Sequence, residues 1–290
     1  MPDLAEASTV HISKITPYIG AEVTGVDLNK PIPPTVRRQL IDALSEHIAL
    51  VIRDQNFTPA QYVAAGRVFG ELMEQDLPEI YSLPEQPLIR QVSNRTKDKK
   101  DKDGKPAKYD PSWHTDHTNH EHPPKYTMLY PVLLPSSGGG TSVCNMRAAY
   151  AALPADIKAR IDDMKTVNVL SGSAVKNPKF VSKEGMASGK FQAVVHPLVR
   201  TNPDHGSKAL YFHPGRTENI VGMNPEDTQD LLRDLTKRAI RPEFVYTHMW
   251  RPGDLVIWDN RSALHKANID YDQSQHRLLY RLIVKGERPI

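Results

Sequence analysis

The sequence predicts an α+β fold with an antiparallel sandwich or barrel at its centre. Segments that alternate apolar and polar residues, or that are apolar throughout, recur along the chain and indicate strands. A few longer segments instead have a helical apolar pattern next to capping residues. Proline is abundant, at 24 of 290 residues, which favours turns and irregular connections over a bundle of long helices.

The first elements follow from local patterns. Residues 21–28 (AEVTGVDL) alternate like a strand, and residues 34–47 carry a helical apolar pattern. The run 48–53 (IALVIR) that follows is a predicted buried strand. Thr58 can cap free N–H groups and the proline after it tolerates the first helical turn, so we expect a further helix to about residue 69.

Residues 95–108 (RTKDKKDKDGKPAK) contain no large apolar side chain. Such a segment cannot bury enough surface to offset the entropy of ordering, so we predict a mobile loop near 95–110 within a single domain of residues 1–290. The segment has seven Lys and Arg against three Asp, whereas the net charge of the whole chain is +3. No broad basic face is therefore implied, and a nucleic-acid partner is not expected.

The remaining elements alternate between strands and two helices. In chain order we predict a strand at 126–134, a turn at 135–140, a helix from about 146 to 164, short strands and loops over 165–215, a helix at 224–238 capped by its asparagine, and strands at 244–248, 254–258 and 277–285. Helices outside a strand-rich middle indicate the α+β class.

The sequence also indicates in which cellular compartment the protein is located. Cys144 is the only cysteine, so no intrachain disulfide can form, which fits a reducing compartment. The start, MPDLAEASTVHISKI, lacks the basic and apolar regions of a signal peptide. The longest apolar runs are about five residues, far short of a membrane span. We expect a cytoplasmic protein without a membrane partner.

A histidine-rich stretch, PSWHTDHTNHEHPP at 111–124, holds the candidate chemistry. On a strand, His114 and Asp116 point the same way at roughly 7 Å spacing and can converge on one cation. A third ligand, His265, follows a predicted strand and an Asp-Asn turn. Two histidines and one carboxylate suit the open facial triad of non-haem Fe(II) oxygenases, while zinc with the same ligands and a water is the competing interpretation and would indicate a hydrolase.

A co-substrate anchor distinguishes these two interpretations. Arg277 lies twelve residues after His265 on a predicted strand, where its guanidinium can bind a carboxylate through two parallel hydrogen bonds. Thr141, after the SSGGG turn, offers a hydroxyl to the same group. A hydrolytic zinc site has no need of either side chain.

These motifs resemble the taurine dioxygenase/2,4-dichlorophenoxyacetate dioxygenase family of Fe(II)- and 2-oxoglutarate-dependent dioxygenases. The similarity is carried by WHTD, PSSGGGT, WDNRSALHKA and HRLLYR, with GAEVTGVDL and FGEL nearer the start. The resemblance implies a double-stranded β-helix (jelly roll) core with flanking helices. It also implies catalysis with Fe(II), 2-oxoglutarate and O₂ on a small organic acid.

Carried over residue by residue, the resemblance implies His114, Asp116 and His265 as iron ligands. It implies Arg277 and Thr141 at the distal carboxylate of 2-oxoglutarate. Trp258 is expected either beside this co-substrate or simply in the core. The family is often dimeric or tetrameric, so a homo-oligomer is left open.

For substrate binding the resemblance implies Arg281, on the same strand face as Arg277, as the partner of an anionic group. The alternative for Arg281 is an ion pair at the mouth of the barrel. Gln75 stands where the taurine enzyme has a sulfonate-binding histidine, and Asp110 replaces an asparagine. Both departures count against taurine. The remaining histidines of the stretch are expected outside the triad: His117 by its opposite strand parity, and those at 120 and 122 because two prolines end the strand there.

Overall fold

The structure is a computed structural model that describes residues 10–76, 78–95, 112–169 and 193–290. The described strands are β1 (His11–Lys14), β2 (Ala21–Thr24), β3 (Ala49–Ile52), β4 (Ser82–Leu83), β5 (Gln86–Ser93), β6 (Tyr126–Leu133), β7 (Thr141–Asn145), β8 (Lys165–Asn168), β9 (Val194–Pro197), β10 (Val199–Thr201), β11 (Lys208–Leu210), β12 (Thr217–Ile220), β13 (Val245–His248), β14 (Leu255–Asp259), β15 (Ala263–Ala267) and β16 (Leu278–Val284). The described helices are α1 (Pro34–His47), α2 (Pro59–Arg67), α3 (Pro78–Tyr81), α4 (Met146–Ala151), α5 (Ala155–Ile161) and α6 (Pro225–Ala239), with a 3-10 turn at Pro242–Phe244.

Strands from both halves of the chain form one eight-stranded sheet in the order β1-β2-β3-β14-β6-β16-β5-β4. Its strands pair antiparallel except β2 with β3, which are parallel. A second sheet, called the three-stranded sheet below, has the antiparallel order β13-β7-β15, and the further sheets are β12-β8-β9, which also has three strands, and β10-β11. The predicted α+β class, with mainly antiparallel strands, is confirmed.

The large sheet buries both of its faces. Along β14, Leu255 and Ile257 belong to the apolar cluster that includes helices α1 and α2. The alternate residues Val256 and Trp258 pack in another cluster with Val143 of β7. Because successive side chains of a strand point to opposite faces, α1 and α2 cover one face of the large sheet and the three-stranded sheet covers the other.

The three-stranded sheet is covered in turn by helices. Cys144 of β7 and Leu264 of β15 belong to a third apolar cluster, together with Met146 of α4 and Leu231 and Leu235 of α6. The three-stranded sheet therefore lies between these helices and the large sheet. Polar side chains on the facing sides of the two sheets are enclosed between them.

Helix boundaries follow the capping residues. Helix α1 spans the predicted residues. Helix α2 begins with a capping box between Thr58 and Gln61 and ends at Arg67, two residues earlier than predicted. Asn224 caps α6 by accepting the Asp227 N–H over 2.9 Å, as its position predicted.

Two predicted elements are shorter than expected. The helix predicted over 146–164 is two helices, α4 and α5, separated at Pro154. Proline has no N–H for the helical ladder and disfavours helical conformation in the preceding residue, so the helix cannot continue through it. The strand predicted at 21–28 ends at Thr24, and Gly25 follows with a φ of 78°.

Two further predictions concern a mobile loop and the absence of a membrane span. The predicted loop near 95–110 lies outside the described residues except at Arg95. Among the described helices, none is both long enough and apolar enough to cross a bilayer.

Candidate active site

His114 and His265 are held side by side by the backbone. They form an isolated antiparallel bridge in which each N–H donates to the other residue's carbonyl oxygen, over 2.9 and 2.7 Å. Their ring centroids lie 4.1 Å apart. The predicted strand at His114 is thus reduced to one bridge, and β15, which carries His265, belongs to the three-stranded sheet.

Asp116 completes the triad from a turn after this bridge. The ligand atoms of His114, Asp116 and His265 all lie within 4.8 Å of one another. Asp116 and His265 are buried. The structure therefore brings together the three residues that the sequence singled out as metal ligands.

The orientation of His114 suits metal binding. Its Nδ1 lies 2.9 Å from the carbonyl oxygen of Ser112, which can only accept, so Nδ1 carries the hydrogen and Nε2 keeps a free lone pair. Such a hydrogen bond fixes the tautomer of a ligating imidazole. Nδ1 of His265 is buried with no hydrogen-bond partner among the described residues.

The protonation states of the three triad residues also favour metal coordination. Burial lowers the pKa of His114, and burial together with His114 holds the pKa of His265 well below its usual range, so both imidazoles are neutral. Burial alone would raise the pKa of Asp116. The positive charge of Arg281 outweighs that effect, and the pKa of Asp116 lies well below its usual range. Two neutral imidazoles and a carboxylate are the protonation states that coordinate a divalent cation.

The carboxylate of Asp116 is oriented by a chain of buried groups. Thr127 donates its hydroxyl to Oδ2 of Asp116 over 2.6 Å. Asn260 donates to that hydroxyl oxygen over 2.8 Å, and Trp258 donates its indole N–H to Oδ1 of Asn260 over 3.1 Å. Neither Thr127 nor Asn260 was predicted as a site residue, because sequence spacing does not show which strand partner faces the carboxylate.

Trp258 lies in the core beside the triad. It is fully buried, and its ring centroid is 4.5 Å from that of His265. The sequence left open whether this residue packs beside the co-substrate or in the core. The structure shows a core position in contact with a triad histidine.

The two residues predicted to bind the co-substrate, Arg277 and Thr141, are hydrogen-bonded to each other. Arg277 donates Nε to the carbonyl oxygen of Gly139 over 2.7 Å and Nη2 to Oγ1 of Thr141 over 3.3 Å. Gly139 has a φ of 68°, and a Cβ there would lie 3.2 Å from Cδ of Arg277, so the turn needs glycine at this position. Trp250, which the sequence did not indicate, donates to the same Thr141 hydroxyl oxygen over 3.1 Å.

Arg281 lies on β16 next to the triad. Its Nη1 donates to Oδ1 of Asp116 over 3.0 Å, and its Nη2 donates to Oε1 of Gln75 over 2.9 Å. Two of the three residues predicted at the substrate, Arg281 and Gln75, are thus in contact. The third, Asp110, lies outside the described residues.

A second His/Asp cluster adjoins Arg281. Nδ1 of His117 and Nε2 of His120 lie 3.0 and 3.2 Å from Oδ2 of Asp76. Nε2 of His117 is 3.3 Å from Nη2 of Arg281, so His117 donates through Nδ1 and accepts through Nε2. A metal on Nδ1 would leave the hydrogen on Nε2, facing the Arg281 donor. The cluster is therefore a hydrogen-bonded support for Arg281.

The remaining histidines lie outside the triad, as expected. His117 has a φ of 51°, so the chain turns there and strand parity no longer applies. His122 is exposed. Asp76 was missed because it lies 41 residues before its partner His117 and no local pattern links the two.

The metal-ligand atoms of the triad suit an Fe(II) site. Nitrogen from two histidines and oxygen from one carboxylate, gathered on one side of a cation, match the facial triad that binds Fe(II). The neighbouring guanidinium of Arg277 and hydroxyl of Thr141 match the carboxylate of a bound organic acid.

Comparisons with known proteins agree with this geometry. Residues 11–283 match the sequence model of the "Taurine catabolism dioxygenase TauD, TfdA family". The chain is 31% identical over 288 residues to an alpha-ketoglutarate-dependent 2,4-dichlorophenoxyacetate dioxygenase of Cupriavidus pinatubonensis, covering 94% of this chain and 96% of the relative. It is 32% identical to an (S)-phenoxypropionate/alpha-ketoglutarate-dioxygenase of Sphingobium herbicidovorans, covering 95% of each. The crystal structure of AAD-2 in complex with Mn(II) and N-oxalylglycine is similar with a TM-score of 0.79 and 32% identity, covering 97% of this chain and 99% of that one.

Proposed function

The chain belongs to the taurine catabolism dioxygenase TauD, TfdA family, and we propose that it oxidises an aliphatic C–H bond of a small anionic organic substrate, releasing succinate and CO₂. It is an Fe(II)- and 2-oxoglutarate-dependent dioxygenase that uses O₂. The expected jelly-roll core, on a single domain of residues 1–290, is part of the same proposal and is supported by the two facing sheets.

One observation supports the proposal more than any other. A His-Asp-His group, in which Asp116 and His265 are buried, occurs together with a buried guanidinium–hydroxyl pair. The first group suits a divalent metal, and the second suits a carboxylate. A zinc-dependent hydrolase on a similar barrel would have no use for the second.

In this proposal His114, Asp116 and His265 hold Fe(II). Bound there, Fe(II) couples the oxidative decarboxylation of 2-oxoglutarate by O₂ to the oxidation of a substrate C–H bond. The protein's part is to keep both imidazoles neutral, to hold the Asp116 carboxylate through Thr127, and to exclude water by burial.

Arg277 and Thr141 bind the far carboxylate of 2-oxoglutarate. The Gly139 carbonyl accepts from Nε and so fixes the position of the guanidinium before the co-substrate arrives. Trp258 holds the His265 ring by contact and contributes to the apolar wall of the site.

Arg281 and Gln75 are the proposed substrate contacts, with Asp110 as a third. Nη1 of Arg281 uses one hydrogen on Asp116, which leaves the other for a substrate oxygen. The product is the hydroxylated substrate. Where the hydroxylated carbon bears nitrogen, oxygen or sulfur, cleavage of that bond follows.

The test is substrate-dependent formation of succinate. Purified protein is supplied with Fe(II), 2-oxoglutarate and O₂ and is challenged with a panel of small organic acids, with succinate and the oxidised acid quantified together. We expect an acid that gives both products in equal amounts, and neither product from an Asp116→Ala variant. Conversion of an acid without 2-oxoglutarate would contradict the proposal and would favour a zinc hydrolase.

A further inference from the structure

Arg90 and Arg281 stand directly opposite each other in the antiparallel pair of β5 and β16. Residues in this relationship lie on the same face of a sheet with Cβ atoms about 4.5–5.5 Å apart. Arg281 reaches the Asp116 carboxylate, so the shared face is the one that looks onto the triad. Two like charges placed opposite each other destabilise a sheet unless an anion compensates for them.

The carboxylates present do not compensate for both charges. Arg281 pairs with Asp116, whose charge is also needed by a metal. For Arg90 no ion pair is found within the described part of the chain. Its guanidinium lies 4.1 Å above the Tyr81 ring, and its Nη1 donates to the backbone carbonyl of Asp76 over 3.2 Å.

Both guanidinium groups keep hydrogens to donate. An arginine has five N–H bonds. Arg281 uses three of them on Asp116, Gln75 and His117, and its buried Nε has no partner among the described residues. Arg90 uses one of its five in the hydrogen bonds described. Unused donors on the guanidinium groups of two residues that are opposite each other on the sheet suit the binding of an oxyanion.

Electrostatics agree with this geometry. Burial and the nearby charge of Arg281 lower the pKa of Arg90 to about 10, so Arg90 remains charged at neutral pH. Burial also lowers the pKa of Arg216, a third arginine near Asp116 and Asp76. Among the described residues at this end of the site, three arginines thus stand near two carboxylates, those of Asp116 and Asp76.

We propose that Arg90 and Arg281 form a two-arginine subsite for the acidic group of the substrate, with Arg90 as a specificity-determining residue. The inference rests on the proposed function and deepens it. The ligand is an organic oxyanion, either a carboxylate or a sulfonate, whose oxygen atoms are shared by the two guanidinium groups.

The subsite is tested by anion binding, independently of turnover. The protein is loaded with Mn(II) and N-oxalylglycine, which occupy the metal and co-substrate positions, and is titrated calorimetrically with butyrate and with propane-1-sulfonate. We expect saturable binding of at least one of them, and the tighter of the two identifies the acidic group. Absence of binding by both anions would overturn the proposal.

Matched variants assign that binding to Arg90. Arg90→Gln should raise the dissociation constant at least tenfold, and Arg90→Lys, which keeps the charge but loses the planar donor fork, should raise it less. Arg67→Gln, on an exposed arginine of α2, should leave it unchanged. Equal affinity in wild type and Arg90→Gln would refute the subsite.

The same titrations separate the two proposals. Unchanged N-oxalylglycine affinity in Arg90→Gln shows that the variant is folded and that the co-substrate position is intact. Failure of the wild type to bind N-oxalylglycine would count against the proposed function. If the wild type still bound an anion and Arg90→Gln did not, the two-arginine subsite would nevertheless be supported.

Discussion

Thr127 donates its hydroxyl hydrogen to Oδ2 of Asp116 over 2.6 Å, on the opposite oxygen from the one that Arg281 contacts. The carboxylate is thereby held from both sides before any metal binds. Asn260 donates to the same hydroxyl oxygen, which fixes the direction in which Thr127 donates. An outer hydrogen bond of this kind orients a metal ligand and tunes its basicity.

Thr127→Val should therefore weaken metal binding with little change of shape. Loss of an outer-shell hydrogen bond typically costs about 10- to 100-fold in metal affinity. The Fe(II) dissociation constant, measured anaerobically by competition with a chromophoric chelator, gives the effect. Thr236→Val, which removes a hydroxyl that bonds only within α6, is the control and should bind Fe(II) like wild type. Equal affinities for all three proteins would show that Thr127 does not orient the ligand.

Arg277→Gln should weaken 2-oxoglutarate binding and leave Fe(II) binding intact. Hydrogen bonds to a charged group contribute about 1.5–3 kcal/mol, so the dissociation constant should rise roughly 10- to 150-fold. An anaerobic optical titration of the Fe(II) protein with 2-oxoglutarate measures it. Arg233→Gln, at an exposed arginine of α6, should behave like wild type. Full affinity in Arg277→Gln would remove the main support for a co-substrate site.

Asp254 provides a test of stability against pH. Its buried carboxylate accepts hydrogen bonds from Arg53 and from Nε2 of His248. Burial alone would raise the pKa of Asp254, but these two partners outweigh it and the pKa is lowered. A lowered pKa in the folded state stabilises the protein above the unfolded-state value of about 3.9, and that stabilisation is lost as the pH falls below it.

Asp254→Asn should accordingly lower the free energy of unfolding at pH 7 by about 3 kcal/mol, because one partner of a buried ion pair is removed. At pH 3.5 the free energies of unfolding of the variant and of wild type should differ by less than they do at pH 7. Urea unfolding at the two pH values measures both quantities. Asp163→Asn, at an exposed position, is the control and should change stability by less than about 0.5 kcal/mol. A difference that widens toward low pH would contradict a lowered pKa for Asp254 in the folded protein.

Sequence patterns predicted those parts of the fold that local chemistry determines. The helices α1 and α6 begin where Pro34 and Asn224 stand, because proline and a capping side chain act within one turn. The antiparallel bridge that brings His265 to His114 joins residues more than 100 positions apart and has no local signature. The motif spacing indicated the triad, but not the sheet that carries its third member.

Residues that act through tertiary contacts were not predictable. Asp76, Thr127 and Arg90 are ordinary polar residues of a loop and two strands in the sequence. Each acquires its position next to the triad from strand register or from the turn at His117, and single-sequence patterns do not encode these relationships.

Equilibrium dialysis of Fe(II) under anaerobic conditions tests whether these three distant side chains share one metal. Wild type and His122→Ala, a control at an exposed histidine of the same segment, should each bind one Fe(II) per chain with equal affinity. His265→Ala should lose more affinity than the ~100-fold upper range for loss of an outer hydrogen bond, because a ligand itself is removed. Wild-type affinity in His265→Ala would contradict the triad.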